Sequence, residues 1–336
     1  MITGDKANTV LSGINKDIAA FLSQEIREII LGIDNRISLI EEIRLRADKP
    51  LMIQNYQDDW FVSKDGRLTK DNVNLHIVKQ EQIIKTLELM SSNSIYAYQD
   101  EIKNGFITLR GGYRVGVTGK AVLDGGNIKN IKDISGLNIR ISREVKGCAG
   151  KILGHVLKNS SDVFNTLIVS PPSCGKTTVL RDLARHISSG SSKYEFRGIK
   201  VGIVDERSEI AACHRGVPQN DVGIRTDVLD GCPKASGMVL MLRSMSPKVI
   251  MTDEIGNQGD KDAVMRVINA GIKIITTAHG YNVSELKSRQ EVVSLINEKV
   301  FERYIVLSNH NGPGTLEEVI DGTTMQVVYK RNEFNN

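Results

Sequence analysis

Ser170-Pro171-Pro172-Ser173-Cys174-Gly175-Lys176-Thr177-Thr178 is the stretch that decides the fold. Thr166-Leu167-Ile168-Val169 precedes it, of strand length and rich in β-branched side chains, and Pro171 and Pro172 end that run. Behind Gly175-Lys176-Thr177, the apolar residues Val179, Leu180, Leu183, Ala184 and Ile187 recur at helical spacing. Strand, loop and helix around Gly-Lys-Thr-Thr form the setting of a phosphate-binding loop, whose backbone amides and helix N-terminus hold phosphates. The stretch 170–178 is thus expected to bind ATP, with Lys176 reaching the β- and γ-phosphates and the Thr177 hydroxyl on Mg²⁺. The pattern G-x-x-x-x-G-K-[ST] asks for glycine at position 170, where this chain has Ser170.

Three further apolar runs end in polar residues that suit a ligand edge. Lys200-Val201-Gly202-Ile203-Val204 ends in Asp205-Glu206. Acids there either lie where open α/β sheets bind ligands or favour the start of a helix. Val249-Ile250-Met251-Thr252 ends in Asp253-Glu254, the form of a Walker B segment. Asp253 would serve the metal and Glu254 would polarise the attacking water. Ile272-Lys273-Ile274-Ile275-Thr276-Thr277 ends in Ala278-His279, placing His279 to sense the γ-phosphate. Strands are expected at 165–169, 199–204, 248–252, 272–277 and 303–307. Alternating with helices, they predict an α/β P-loop NTPase domain with a mostly parallel sheet. The polar stretch 215–234 reads as a functional loop, with Arg225 on nucleotide or a neighbouring subunit. Arg243 falls on a helix before the Walker B strand, whose methionines read as core.

The first half reads as a smaller α+β domain, 1–147, ahead of the P-loop domain, 148–336. A helix is expected over about 8–32, a strand at Ile43-Arg44-Leu45-Arg46 with Arg44 and Arg46 on a solvated edge, and another at Trp60-Phe61-Val62. A helix follows over 79–91, then a hairpin about Gly111-Gly112 and a strand from Leu137, so that strands concentrate at the end. A helix over 150–159 bridges the two halves. At 336 residues, 40% hydrophobic and 25% charged, the chain has ample length for two packed cores. Four cysteines without a C-x-x-C pair argue against zinc and for a reducing compartment. Absence of a signal core, and of any run of about 18 apolar residues, points to a cytoplasmic protein.

The ordered set of Lys176-Thr177, Asp205-Glu206, Asp253-Glu254 and Thr276-Thr277-Ala278-His279 resembles the Walker A, Asp-box, Walker B and His-box series of type II and type IV secretion ATPases. Longer blocks resemble the stage III sporulation protein AA family. These include Ser170-Pro171-Pro172, Leu180-Arg181-Asp182-Leu183, Val204-Asp205-Glu206-Arg207-Ser208-Glu209, Asp227-Val228-Leu229-Asp230-Gly231-Cys232-Pro233-Lys234 and Thr252-Asp253-Glu254-Ile255-Gly256. In the first half, Gly111-Gly112-Tyr113-Arg114-Val115-Gly116 and Leu137-Asn138-Ile139-Arg140 carry the same resemblance, with Tyr113 where many relatives have His. The resemblance covers about residues 40–310, and the family's loop commonly begins Ser-Pro-Pro.

It implies a RecA/secretion-ATPase-like fold and an ATPase of endospore-forming bacteria. Such a protein acts in the mother cell, peripheral at the inner face of the membrane around the forespore. It forms a homo-oligomeric, hexameric ring that energises a membrane-embedded sporulation channel. The secretion-ATPase likeness further implies that Asp205 and Glu206 support the metal or water shell. It also implies an N-terminal arginine over the nucleotide: Arg110, Arg114, Arg140 or Arg143, with Arg140 carried forward. The rival reading is a nucleic-acid-binding or DNA-translocating P-loop ATPase, which a net charge of +4 would suit. The absence of a nucleic-acid module, and aromatics of only 5%, argue against a nucleic-acid partner. A third reading, a nucleotide-binding scaffold without turnover, is opposed by the intact Lys176, Asp253 and Glu254.

Overall fold

A computed structural model describes residues 18–33, 40–55, 58–92, 94–141, 144–288 and 290–331. The chain divides into two compact units between residues 143 and 144, where the sequence pointed to 147 and 148.

In the first unit the strands are β1 (Glu42–Arg46), β2 (Lys49–Pro50), β3 (Met52–Gln54), β4 (Asp59–Val62), β5 (Leu68–Thr69), β6 (Ile77–Val78), β7 (Phe106–Thr108), β8 (Arg114–Asp124) and β9 (Asn127–Arg140). Seven of them form an antiparallel sheet in the order β5-β4-β3-β1-β9-β8-β7. Helices α1 (Gln24–Gly32), α2 (Gln80–Met90) and α3 (Gln99–Lys103) accompany it. Ile26, Ile30, Ile83 and Leu87 share one buried core with Ile43, Leu45, Val115 and Ile139 of the sheet. That amphipathic pattern drives the packing.

Several expectations change here. Residues 8–17 of the expected first helix lie outside the described residues, and the rest is interrupted before α1. The Ser23 N–H donates to Thr86 Oγ1 at 3.1 Å rather than continuing a helical ladder. Strands do not wait for the end of this unit: six precede α2. Strand β1 is interior, paired with both β3 and β9, so Arg44 and Arg46 do not stand on a sheet edge. Arg44 pairs with Glu42, and the Arg46 guanidinium approaches Met52 Sδ at 3.7 Å. The hairpin expected about Gly111-Gly112 is present as β7–β8, and a second, longer hairpin, β8–β9, follows it. It turns at Gly125-Gly126, both at positive φ, as a two-residue turn between antiparallel strands requires.

The second unit contains β10 (Leu157–Asn159), β11 (Asp162–Val163), β12 (Thr166–Ser170), β13 (Val201–Asp205), β14 (Thr226–Asp230), β15 (Val249–Thr252), β16 (Lys273–His279), β17 (Arg303–Ser308), β18 (Thr315–Asp321) and β19 (Val327–Lys330). Its helices are α4 (Leu153–Val156), α5 (Lys176–Ser189), α6 (Lys234–Ser244), α7 (Gln258–Asn269) and α8 (Gln290–Asn297). The main sheet runs β14-β13-β15-β16-β12-β17-β18-β19, parallel through β17 and antiparallel at β18 and β19. Strands β12, β13 and β15 are buried along their whole length. That accounts for their unbroken apolar runs, since helices cover both faces. Ile168 packs with Val179, Leu180 and Leu183 of α5 on one face, while Leu167 and Val169 pack with Met238 of α6 and Val264 of α7 on the other.

The helix expected over 150–159 stops at Val156, because Leu157 is extended and Asn159 turns the chain. Its Oδ1 accepts the Ser161 N–H at 2.9 Å. The stretch expected as a loop over 215–234 contains β14, an edge strand parallel to β13. Arg225 donates to Ser188 O at 2.8 Å and closes the C-terminal end of α5. Met238 and Met241 are core residues, as expected, whereas Met245 is exposed.

Candidate active site

The site residues stand at the carboxyl ends of neighbouring parallel strands. Strand β12 delivers Ser170 opposite His279 at the end of β16. Strands β13 and β15 pair Val204 with Thr252, which brings the next residues, Asp205 and Asp253, side by side.

Ser170 is a buried strand residue, so the missing glycine creates no strain at this position. The tight turn comes later. Ser173 and Gly175 hold φ +59° and +79°, and α5 begins at Lys176. A Cβ on Gly175 would lie 3.1 Å from Pro313 Cβ and 3.2 Å from Gly314 N, so backbone conformation and space both require glycine there. The Gly314 N–H donates to Cys174 O at 2.8 Å, joining the β17–β18 connection to the loop.

Lys176 is only 6% exposed. Its Nζ donates to Ser170 O at 3.0 Å and Pro171 O at 2.9 Å, and lies 2.9 Å from His279 Nδ1. His279 Nε2 lies 2.8 Å from Glu254 Oε1. With the ammonium donating to Nδ1, the ring proton sits on Nε2 and donates to the carboxylate, so one neutral tautomer satisfies all three groups. Lys176, His279 and Glu254 therefore form one hydrogen-bonded chain across β12, β16 and β15.

Glu254 has φ +47°, a left-handed conformation that costs a non-glycine residue roughly 1–3 kcal/mol unless its surroundings fix it. Two groups do so. The Glu254 N–H donates to Thr277 Oγ1 at 2.8 Å, and Lys234 Nζ donates to Glu254 O at 2.8 Å. The same ammonium pairs with Glu206 Oε2 at 3.2 Å, and Arg207 approaches Glu254 Oε2 at 3.9 Å. Lys234 has an 11% exposed side chain at the start of α6. Sequence reasoning missed its role; the only signal was a lysine directly after Cys232-Pro233 at a helix start.

Asp253 is 4% exposed. Burial pushes its carboxyl up to about 7, helped by the charges of Asp205, Glu209 and Glu254 and opposed by Lys234. Asp205 is fully buried, and its two oxygens accept the N–H groups of Glu209 at 2.9 Å, Ile210 at 2.9 Å and Ala211 at 2.8 Å. Burial raises its pKa against those three bonds. The structure thus gives Asp205 a different occupation from the expected metal shell: it closes the turn after β13 and adds negative potential beside Asp253.

The residues fit a magnesium ion. Among the described residues no group of three or more His, Cys, Asp and Glu could hold a metal alone. Mg²⁺ commonly uses one or two protein ligands together with substrate phosphates and water. A single buried carboxylate, charged only at an energetic cost, together with the loop hydroxyl of Thr177, is that kind of donor set.

Arg140 lies on β9 of the first unit, 62% exposed and 3.9 Å from Glu42 of the same unit. Arg114 places its guanidinium 3.7 Å from the Phe106 ring centroid, Arg110 is exposed, and Arg143 lies outside the described residues.

The family model for sporulation stage III, protein AA matches residues 13–327. Stage III sporulation protein AA of Bacillus subtilis (strain 168) is 41% identical over 306 residues, covering 91% of this chain and 94% of that protein. Among solved structures, the pilus retraction motor PilT with bound ADP superposes with a TM-score of 0.53 at 15% identity, over 80% of this chain and 74% of PilT. The Legionella pneumophila ATPase DotB gives 0.52 at 15% identity, over 80% of this chain and 72% of DotB. At such identity these two likenesses speak for the α/β P-loop ATPase fold alone. The match that runs along nine-tenths of the sequence settles the family: this chain belongs to the sporulation stage III, protein AA family.

Proposed function

We propose that the second unit binds and hydrolyses ATP with Mg²⁺. The observation that carries this reading is the Lys176–His279–Glu254 chain, set beside the buried Asp253 at adjacent strand ends. Residues 170–178 would cradle the phosphates, and Thr177 and Asp253 would hold Mg²⁺, which neutralises charge on the β- and γ-phosphates.

An arriving γ-phosphate competes for Lys176, drawing its ammonium from the Ser170 and Pro171 carbonyls and from His279. Glu254, released at the other end, is then free to orient water and accept its proton as the oxygen attacks the γ-phosphorus. The bond from that phosphorus to the β-bridging oxygen breaks, leaving ADP and phosphate. His279 connects the two events, so it reports γ-phosphate occupancy to the base. Lys234 keeps Glu254 in its left-handed conformation and holds Glu206 near the water.

Family membership supports placing this hydrolysis in endospore formation, powering a secretion-like channel between mother cell and forespore. The protein would act as a homo-oligomeric, hexameric ring with Arg140 or another N-terminal arginine over the nucleotide. Among the described residues no helix is long and apolar enough to cross a membrane. The reading places the protein at the membrane through an embedded channel partner, on the cytoplasmic side of the mother cell.

The test is ATP turnover by wild type and Glu254→Gln, with oligomer mass from light scattering. The variant should bind Mg-ATP like wild type while turnover falls by roughly 10²–10⁴, the range of a lost general base. Turnover at the wild-type rate would remove Glu254 from the role of base.

A further inference from the structure

Resting on the phosphate-loop reading, the nucleoside end of the substrate needs a site that the strand-end acids do not supply. Lys176, His279 and Glu254 define the γ-phosphate end. The opposite end must leave along the first turn of α5, past Thr177 and Thr178. There the second unit has a cavity of about 520 Å³, within the size range of small-molecule sites.

Three of its walls touch the loop directly. Cys148 Sγ lies 3.6 Å from Thr178 O, the Gly314 N–H bonds Cys174 O at 2.8 Å, and Pro313 stands against Gly175. The outer wall brings Tyr329 of β19 together with Lys151 and Lys330, and among the described residues no carboxylate lines the cavity. The third lining cation, Arg331, is already paired with Glu317 at 2.8 Å. Tyr329 is a half-exposed aromatic on an edge strand, its ring centroid 5.4 Å from that of His155.

We propose that this cavity takes the base and ribose of the nucleoside triphosphate. Tyr329 stacks on the base, as aromatic side chains stack on nucleobases of any sequence. Lys151 and Lys330 supply positive potential towards the α-phosphate. The cavity then adds affinity for a nucleotide over a bare polyphosphate, and it does so with residues from the last two strands of the sheet.

The experiment compares Mg-ATP with magnesium inorganic triphosphate, which has no base, by titration calorimetry on the full chain. Wild type should bind ATP at least about tenfold more tightly than triphosphate, and Tyr329→Ala should lose most of that ratio while binding triphosphate unchanged. Tyr329→Phe should retain it. Tyr329→Leu, which keeps a strand-compatible apolar side chain, gives the same reading if Ala loosens the edge strand. ATP binding in both variants equal to wild type would overturn the proposal and leave the phosphate-loop reading standing. Equal affinity of wild type for the two ligands would do the same. Wild type binding neither ligand would overturn both.

Discussion

Asp253→Asn separates what this position does for binding from what it does to the fold. The carboxyl is pushed from 3.8 up to about 7, first by burial and then by Asp205, Glu209 and Glu254. The folded pKa exceeds the unfolded one, so the native state holds the proton more tightly. Stability is complete below the unfolded value, falls as pH rises towards the folded value, and levels off above it. A shift of about 3 units at 1.36 kcal/mol each sets a ceiling of about 4 kcal/mol. Water entry and adjustment by the neighbouring carboxylates lower this, and we expect about 2 kcal/mol at alkaline pH.

Asparagine has the same shape and no charge to bury. In a unit of about 190 residues, 1 kcal/mol moves the melting midpoint by roughly 2–4 °C. The metal-free variant should therefore melt about 4–8 °C above wild type near pH 8, and the gap should shrink to less than half near pH 5. Calorimetry in chelator across that pH range measures it. Mg-ATP should raise the midpoint of wild type much more than that of the variant, which has lost the charged ligand. A gap that does not vary with pH, or a variant less stable than wild type at alkaline pH, would refute the electrostatic account of this site.

Other outcomes follow from the same geometry. Lys234→Met should lower kcat at least tenfold with little change in KM, because it releases the Glu254 backbone without touching the phosphate loop; Lys234→Arg should recover part of the loss, and steady-state kinetics of the three proteins decide it. Gly175→Ala should abolish ATP binding in an otherwise folded protein, since its Cβ meets Pro313 and Gly314 within 3.2 Å and its φ is +79°; calorimetric titration alongside circular dichroism checks both halves. Glu302 lies away from the site. Burial raises its carboxyl, but hydrogen bonds from Lys158, Lys273 and the Asn165 amide outweigh that and hold it at about 2. Its stabilisation is present above about 4.5 and is lost as pH falls through about 2, so Glu302→Gln should cost roughly 2–3 kcal/mol at neutral pH and progressively less in acid, measured by urea unfolding.

The strand ends were legible because parallel strands buried on both faces must be apolar throughout. Val249–Thr252 and Lys273–His279 then end abruptly at the residues of the proposed site. Strand β14 was hidden because Thr226-Asp227-Val228-Leu229-Asp230 is a half-buried edge strand whose acids imitate a loop. The outer part of the β8–β9 hairpin was hidden for a related reason: Lys120–Asp124 is mostly exposed and buries no face, so its apolar residues do not alternate with charged ones. At the site, Lys176, Asp253, Glu254 and His279 could be named from local pattern. The grip of Lys234 on Glu254 could not, since it joins residues twenty positions apart through a backbone carbonyl. Nor could the occupation of Asp205, whose partners are three amides of the following turn.

Under the proposed function, the chain from Lys176 through His279 to Glu254 would also act as an internal competitor for the substrate. Its lysine is already satisfied by carbonyls and a ring nitrogen that never diffuse away, so measured affinity is the intrinsic affinity scaled by the fraction of time the lysine is free. The same competition would speed departure: as phosphate left, the protein's own groups would be in place to replace it. Weakening the bridge at His279 should therefore tighten nucleotide binding while slowing product escape, so that a loss of turnover in such a variant would arise from retention of product as well as from disturbed chemistry.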